Sequence, residues 1–302
     1  RNYTFTLTEA GRLLFDSRTY DNRLAWSLNG PRGAEVSSRS FTASDSGEYG
    51  ANPLLDLAPG TYTLTVGANG DATPAFAFVL MALAQAEAIT LDADVTGTLD
   101  LANASKIYRF NATAGDTVVF DRLSLSAGSP GWRLFDATGQ QLFGPEYFND
   151  RAPLTLPLSG TYYLALEGRI WDSGTISYGF NLRLQGNTPP PALEGTALTL
   201  GATVSGTIAV AGETDDYVFT VDKPSLVLVD GLAPNNNGSF RWTLSGPRGV
   251  EVAGRSGSAG ARAAGKHGSS GVGEAIPDDR PRRIDGVHAQ TLPRGGPDGQ
   301  RA

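Results

Sequence analysis

His267 and His288 are the only histidines, and there is no cysteine. Both histidines lie past residue 252, so the stretch before them holds no Ser-His-Asp or Cys-His arrangement and no thiolate or imidazole zinc site. Paired carboxylates of the glycosidase kind need neither residue type. Yet Asp16, Asp121 and Asp230 come one per repeat, each ending a strand pattern. Capping the turn that follows accounts for them. No phosphate-binding glycine pattern stands between a strand and a helix. The chain is therefore read as non-catalytic, and the chemistry left to it is recognition.

Two groups of residues could recognise something. Glu213, Asp215 and Asp216 form the densest acidic cluster, just before Tyr217. Calcium takes several carboxylate and carbonyl oxygens at once, so the cluster reads either as a calcium site or as a solvated loop. Ala104, Ser105 and Lys106 stand at the matching place in the second repeat and could not ligate calcium. Trp171 lies in the loop Gly168-Arg169-Ile170-Trp171-Asp172-Ser173-Gly174, beside Asp172 and without a counterpart in the first repeat. A loop aromatic next to a carboxylate could anchor a sugar or a protein ligand; the plainer reading is a solitary exposed aromatic. Trp26, Trp132 and Trp242 differ from it. Each is followed two residues on by a leucine (Leu28, Leu134, Leu244), in register with the repeat, as inward-facing core residues should be.

That repeat positions everything else. Tyr-x-Phe occurs at Tyr3/Phe5, Tyr108/Phe110 and Tyr217/Phe219, a period of about 105–109 residues. Gly33, Gly139 and Gly249 each close a turn after the tryptophan. Gly60-Thr61-Tyr62-Thr63-Leu64-Thr65-Val66 matches Gly160-Thr161-Tyr162-Tyr163-Leu164-Ala165-Leu166. Within the runs, apolar and polar residues alternate: Tyr3, Phe5 and Leu7 share one face, as do Tyr62, Leu64 and Val66. Alternation of this length means half-buried antiparallel strands, and strands at short, turn-punctuated intervals mean a sandwich or jelly roll. The expected fold is all-β: tandem antiparallel jelly-roll β-sandwich modules of about 100 residues, with a disordered C-terminal tail.

The boundaries are residues 1–84 for a first module lacking its opening strand, 85–186 for a complete second module and 187–191 for a proline linker. Residues 192–252 make a partial third module, and 253–302 the tail. From Ala253 onward there is no Phe, Trp or Tyr, and no Gly-Thr-Tyr strand follows Gly249 at the expected distance. The tail holds 8 basic and 5 acidic residues, against a net charge of −7 for the whole chain. It reads either as the product of a reading-frame shift or as a genuine disordered segment. The acidic, lysine-poor balance argues against nucleic acid, and no apolar run is long enough for a membrane helix. The chain opens inside a strand pattern and is expected to be part of a longer protein, a monomeric array with its export signal elsewhere.

The modules resemble the bacterial pre-peptidase C-terminal domains, which include the collagen-binding domains of secreted collagenases. The resemblance rests on Asp215-Asp216-Tyr217-Val218-Phe219, on Trp132 to Gly139, on Gly60 to Val66 and on Tyr178-Gly179-Phe180, and it covers about residues 1–252. It implies a jelly-roll sandwich, secretion or surface display, and an accessory role. It also implies calcium near the acidic positions before the tyrosine. Asp215 and Asp216 match that pattern, whereas Asn2 and Ile107 stand where the first two modules would need Asp. The expected function is a spacer, adhesion or accessory binding region of a secreted or cell-surface protein. The alternative is a module, calcium-stabilised or not, that binds a glycan or a matrix protein for an attached hydrolase.

Overall fold

A computed structural model describes residues 1–44, 48–210, 212–221, 227–232, 241–256, 261–263, 271–276 and 282–291, with side chains as far as residue 254. The chain is all-β and divides into two compact units, Arg1–Pro189 and Pro190–Ala302. The division falls within the proline-rich stretch.

The first unit holds two modules. In the first module, β1 (Asn2–Leu7), β2 (Gly11–Ser17), β3 (Leu24–Gly30), β4 (Gly33–Ser40), β5 (Leu55–Leu57), β6 (Gly60–Ala68) and β7 (Phe78–Ala82) form two antiparallel sheets. Their strand orders are β1-β6-β3-β4 and β5-β2-β7. A 3-10 turn at Leu83–Gln85 leads to the second module. There, β8 (Glu87–Ala88), β9 (Asp94–Leu99), β10 (Ser105–Ala112), β11 (Asp116–Leu125), β12 (Gly131–Phe135), β13 (Gln141–Tyr147), β14 (Arg151–Thr155), β15 (Gly160–Glu167) and β16 (Ile176–Asn187) follow. Their sheets run β13-β12-β15-β10-β8 and β14-β11-β16-β9. The second module thus repeats the first, with β8 and β9 added as edge strands.

Alternation places one large residue in two on the inner face, and the two sheets of each module share one core. In the first, Phe15 of β2 stacks on Trp26 of β3 at 4.0 Å, over Tyr62 and Leu64 of β6. In the second, Phe120 of β11 meets Trp132 of β12 edge-on at 5.9 Å, over Tyr162, Leu164 and Phe180. Trp26 and Trp132 are core residues, as their register required. The Gly-Thr-Tyr motif has the same job twice. The Tyr62 hydroxyl donates to the Ala58 carbonyl (2.8 Å), and that of Tyr162 donates to Leu158 (2.7 Å), pinning the turn that precedes each strand. Gly60 and Gly160 open these strands at φ 143° and 142°. A Cβ at Gly60 would stand 2.2 Å from Pro31, and one at Gly160 2.8 Å from Ala137.

In the second unit, β17 (Thr196–Ala197), β18 (Thr203–Ile208), β19 (Tyr217–Phe219), β20 (Val227–Gly231), β21 (Arg241–Gly246) and β22 (Gly249–Ser256) precede β23 (Ala261–Ala263), β24 (Gly271–Ile276) and β25 (Arg282–Thr291). The orders are β17-β19-β24-β21-β22 and β18-β25-β20-β23. Backbone strand β24 sits between β19 and β21, the place that β15 holds between β10 and β12. Much of the expected tail, 253–302, lies outside the described residues. Among the described residues, no helix is long and apolar enough to cross a membrane.

Candidate functional site

The first two modules meet along a seam built from residues that alternation would send to solvent. Strand β2 is buried on both faces. Leu13 and Phe15 enter the first core, while Leu14 packs with Leu83, Ala86 and Ile107 in a second apolar cluster between the modules. Asp16 continues that outer face. Its carboxylate accepts hydrogen bonds from the backbone N–H and hydroxyl of Ser105, both at 3.1 Å, and pairs with Arg18 at 2.5 Å. Expected to cap a turn, Asp16 instead lies within a strand, fully buried, and holds the second module. Asp121 does not cap a turn either: it lies within β11 and pairs with Arg183.

The second module answers with Arg133, from the middle of β12. Its guanidinium donates to the carbonyls of Tyr49 and Ala51 in the first module, each at 2.9 Å, and to Gln141 Oε1 at 2.6 Å. Its Nε lies 3.4 Å from the Glu167 carboxylate. Arg133, Glu167 and Asp16 are all 0% exposed. Burial pushes the Glu167 carboxyl up to about 7, against the opposing pull of Arg133. Hydrogen bonds from Arg12 to the Ala137 carbonyl (3.1 Å) and from Asn52 to the Gly139 carbonyl (2.7 Å) continue the seam. Asn103 donates to the Arg18 carbonyl at 3.2 Å.

At the seam's rim stands the loop carrying Trp171. Gly168 allows the loop to leave β15 closely, since a Cβ there would lie 1.9 Å from the Ala102 carbonyl oxygen. Ile170 is buried and anchors the loop, and the Asp172 N–H donates to the Arg169 carbonyl (2.8 Å) to close its turn. Asp172 is half-exposed and reaches the connection between β11 and β12, accepting from the Ser129 N–H at 3.4 Å. Trp171 is exposed, and its ring meets that of Tyr20, from the first module, edge-on at 5.9 Å. Arg169 lies 4.8 Å from the Trp171 ring and 5.8 Å from that of Tyr147, and pairs with Glu48 of the first module at 3.0 Å. Burial raises the Glu48 carboxyl, with Arg169 opposing.

Tyr20 also lines a cleft of about 590 Å³ with Asp21, Asn22, Arg23 and Thr42. Asp21 accepts from the Arg23 N–H (2.9 Å) and holds the Arg23 guanidinium by two bonds of 2.9 and 2.6 Å. That pairing lowers the Asp21 carboxyl to about 2. Trp171 was the one member of this face marked by the sequence. Tyr20 and Glu48 were not, because docking of the two modules brings them to it; Tyr147 and Arg169, from the second module itself, carried no motif that set them apart.

The acidic cluster is arranged differently. The Glu213 carboxylate accepts from the N–H groups of Ala209 and Val210, capping its own turn. Asp215 hydrogen-bonds to Tyr217, one of the causes that raise the Tyr217 hydroxyl, behind burial. The exposed Asp216 gives its backbone carbonyl to the Thr196 N–H at 2.8 Å. Among the described residues, no three His, Asp or Glu side chains are grouped closely enough to hold a metal ion between them. Compared with known proteins, the chain matches no family model and no curated sequence.

Proposed function

We propose that the chain is a non-catalytic array of jelly-roll β-sandwich modules of the pre-peptidase C-terminal kind, in a secreted or cell-surface bacterial protein. Within it, residues 1–189 act as a stiff spacer. The observation that carries this reading is the seam. Two modules joined by a flexible linker would keep solvated faces toward each other. Here Asp16, Arg133 and Glu167 are wholly withdrawn from water at their junction. Burying such groups is favourable only when their partners are held in place. A spacer needs that fixed geometry and no reactive group.

Exchange of residues 1–189, in the full-length protein, for an unrelated rigid pair of β-sandwiches of equal length tests the spacer role. Retained surface display and retained activity of the attached domains are expected. Loss of either, with the replacement folded, would contradict it. A second reading is favoured by the exposed aromatic face of Tyr20, Trp171 and Tyr147. On that reading the same pair of modules is an accessory binder of a glycan or matrix protein.

A further inference from the structure

Exposed aromatic rings and a polar cleft meet at one residue, Tyr20. We propose that the rim of the seam between the first two modules is a binding site for a neutral saccharide, seated in the cleft beside Tyr20 and stacked against Trp171. The proposal rests on the second reading above and names its ligand class.

Four observations converge. Tyr20, Tyr147 and Trp171 are 63%, 64% and 52% exposed, and Arg169 lies over the rings of the last two. The Arg169 guanidinium lies over one face of the Trp171 ring at 4.8 Å, so the apolar C–H face of a sugar ring would stack on the other. The cleft, about 590 Å³ and broadly open to solvent, has room for a sugar unit beside Tyr20. Its other walls are an amide (Asn22), a hydroxyl (Thr42) and the Asp21–Arg23 pair, which together offer both donors and acceptors. A ligand rich in hydroxyls needs both. Finally, the cations of the site already carry their own carboxylates: Arg23 that of Asp21 at 2.6 Å and Arg169 that of Glu48 at 3.0 Å. An acidic sugar would meet little net positive charge, so the ligand is neutral. The site draws on both modules and exists only while the seam holds them together.

The test is titration of the full chain with cello-, xylo-, malto- and N-acetylchito-oligosaccharides, with heparin and triple-helical collagen in parallel, read by tryptophan fluorescence and calorimetry. Trp26 and Trp132 are buried and Trp242 of the second unit is half-buried, so the part of the signal that Trp171→Ala removes is the part that reports stacking on Trp171. At least one neutral oligosaccharide is expected to bind more tightly than heparin. Its affinity is expected to fall by about tenfold or more in Trp171→Ala, in Tyr20→Ala and in Asn22→Ala. Unchanged melting temperatures would show that the variants fold. Failure of every neutral oligosaccharide to bind, or binding that survives these substitutions, overturns the proposal. If collagen alone binds and Trp171→Ala abolishes it, the saccharide assignment falls while the accessory-binding reading stands. If nothing binds, both fall.

Discussion

Arg133 and Glu167 hold the seam through a balance that a single substitution upsets. Arg133→Ala would leave the Glu167 carboxylate and two carbonyls of the first module without their donor. A loss of about 3–5 kcal/mol is expected from urea unfolding at mildly alkaline pH. Replacing both partners by apolar residues, as in Arg133→Met with Glu167→Leu, should cost far less. Glu167 also sets a pH dependence. Its carboxyl titrates at about 7 in the folded chain, against an ordinary 4.5. Between those values the folded form keeps a proton that the unfolded chain has lost. The stability this carries is complete below the ordinary value and lost as pH rises through the folded one. Glu48, raised by burial, acts in the same direction. Asp21, lowered to about 2, acts oppositely and only in more acid solution. The melting temperature of the first unit should therefore fall from about pH 5 to about pH 8, and Glu167→Gln should flatten that fall. A rise over the same interval would contradict it. The tryptophans separate by burial: Trp132→Ala should cost about 3–5 kcal/mol, and Trp171→Ala less than about 0.5 kcal/mol.

At the scale of the strand, the same alternation that exposed the fold concealed the seam. Strands such as β6 and β16, with Tyr62, Leu64 and Val66 or Tyr178, Phe180 and Leu182 on one face, were legible because one side is core. The period of the motifs marked equivalent strands in the two modules, and the structure gives those strands the same order in the sheets. Strand β12 is buried throughout, yet Arg133 between Trp132 and Leu134 reads as a solvent-facing residue. Only a neighbouring module makes its position interior. Strand β2 did carry a signal, the unbroken apolar run Leu13-Leu14-Phe15, since continuous apolar runs mark strands covered on both faces. Asp16, ending that run, looked like a turn cap for the same reason. The acidic residues before Tyr217 were legible as a cluster but not in their directions, which backbone turns decide. The Trp171 loop offers a test at this scale. Gly168→Ala brings a Cβ against the Ala102 carbonyl, which belongs to the backbone and yields poorly. A loss of about 1–3 kcal/mol is expected, together with altered quenching of Trp171 by acrylamide.

At the scale of the whole molecule, the central claim is that the first two modules behave as one body because polar groups of each are buried in the other. Asp16 reaches Ser105, and Arg133 reaches Tyr49 and Ala51, so neither module keeps its hydrogen bonds when the other unfolds. A spacer function and a binding site shared across the rim both depend on that coupling. Native-state hydrogen exchange of the full chain in low urea reads it segment by segment. Core amides of β3 in the first module and β12 in the second are expected to open with one common free energy and one common urea dependence. In Arg133→Ala the two should separate. Distinct openings of β3 and β12 in the unaltered chain would show that the modules fold independently, and would contradict the account.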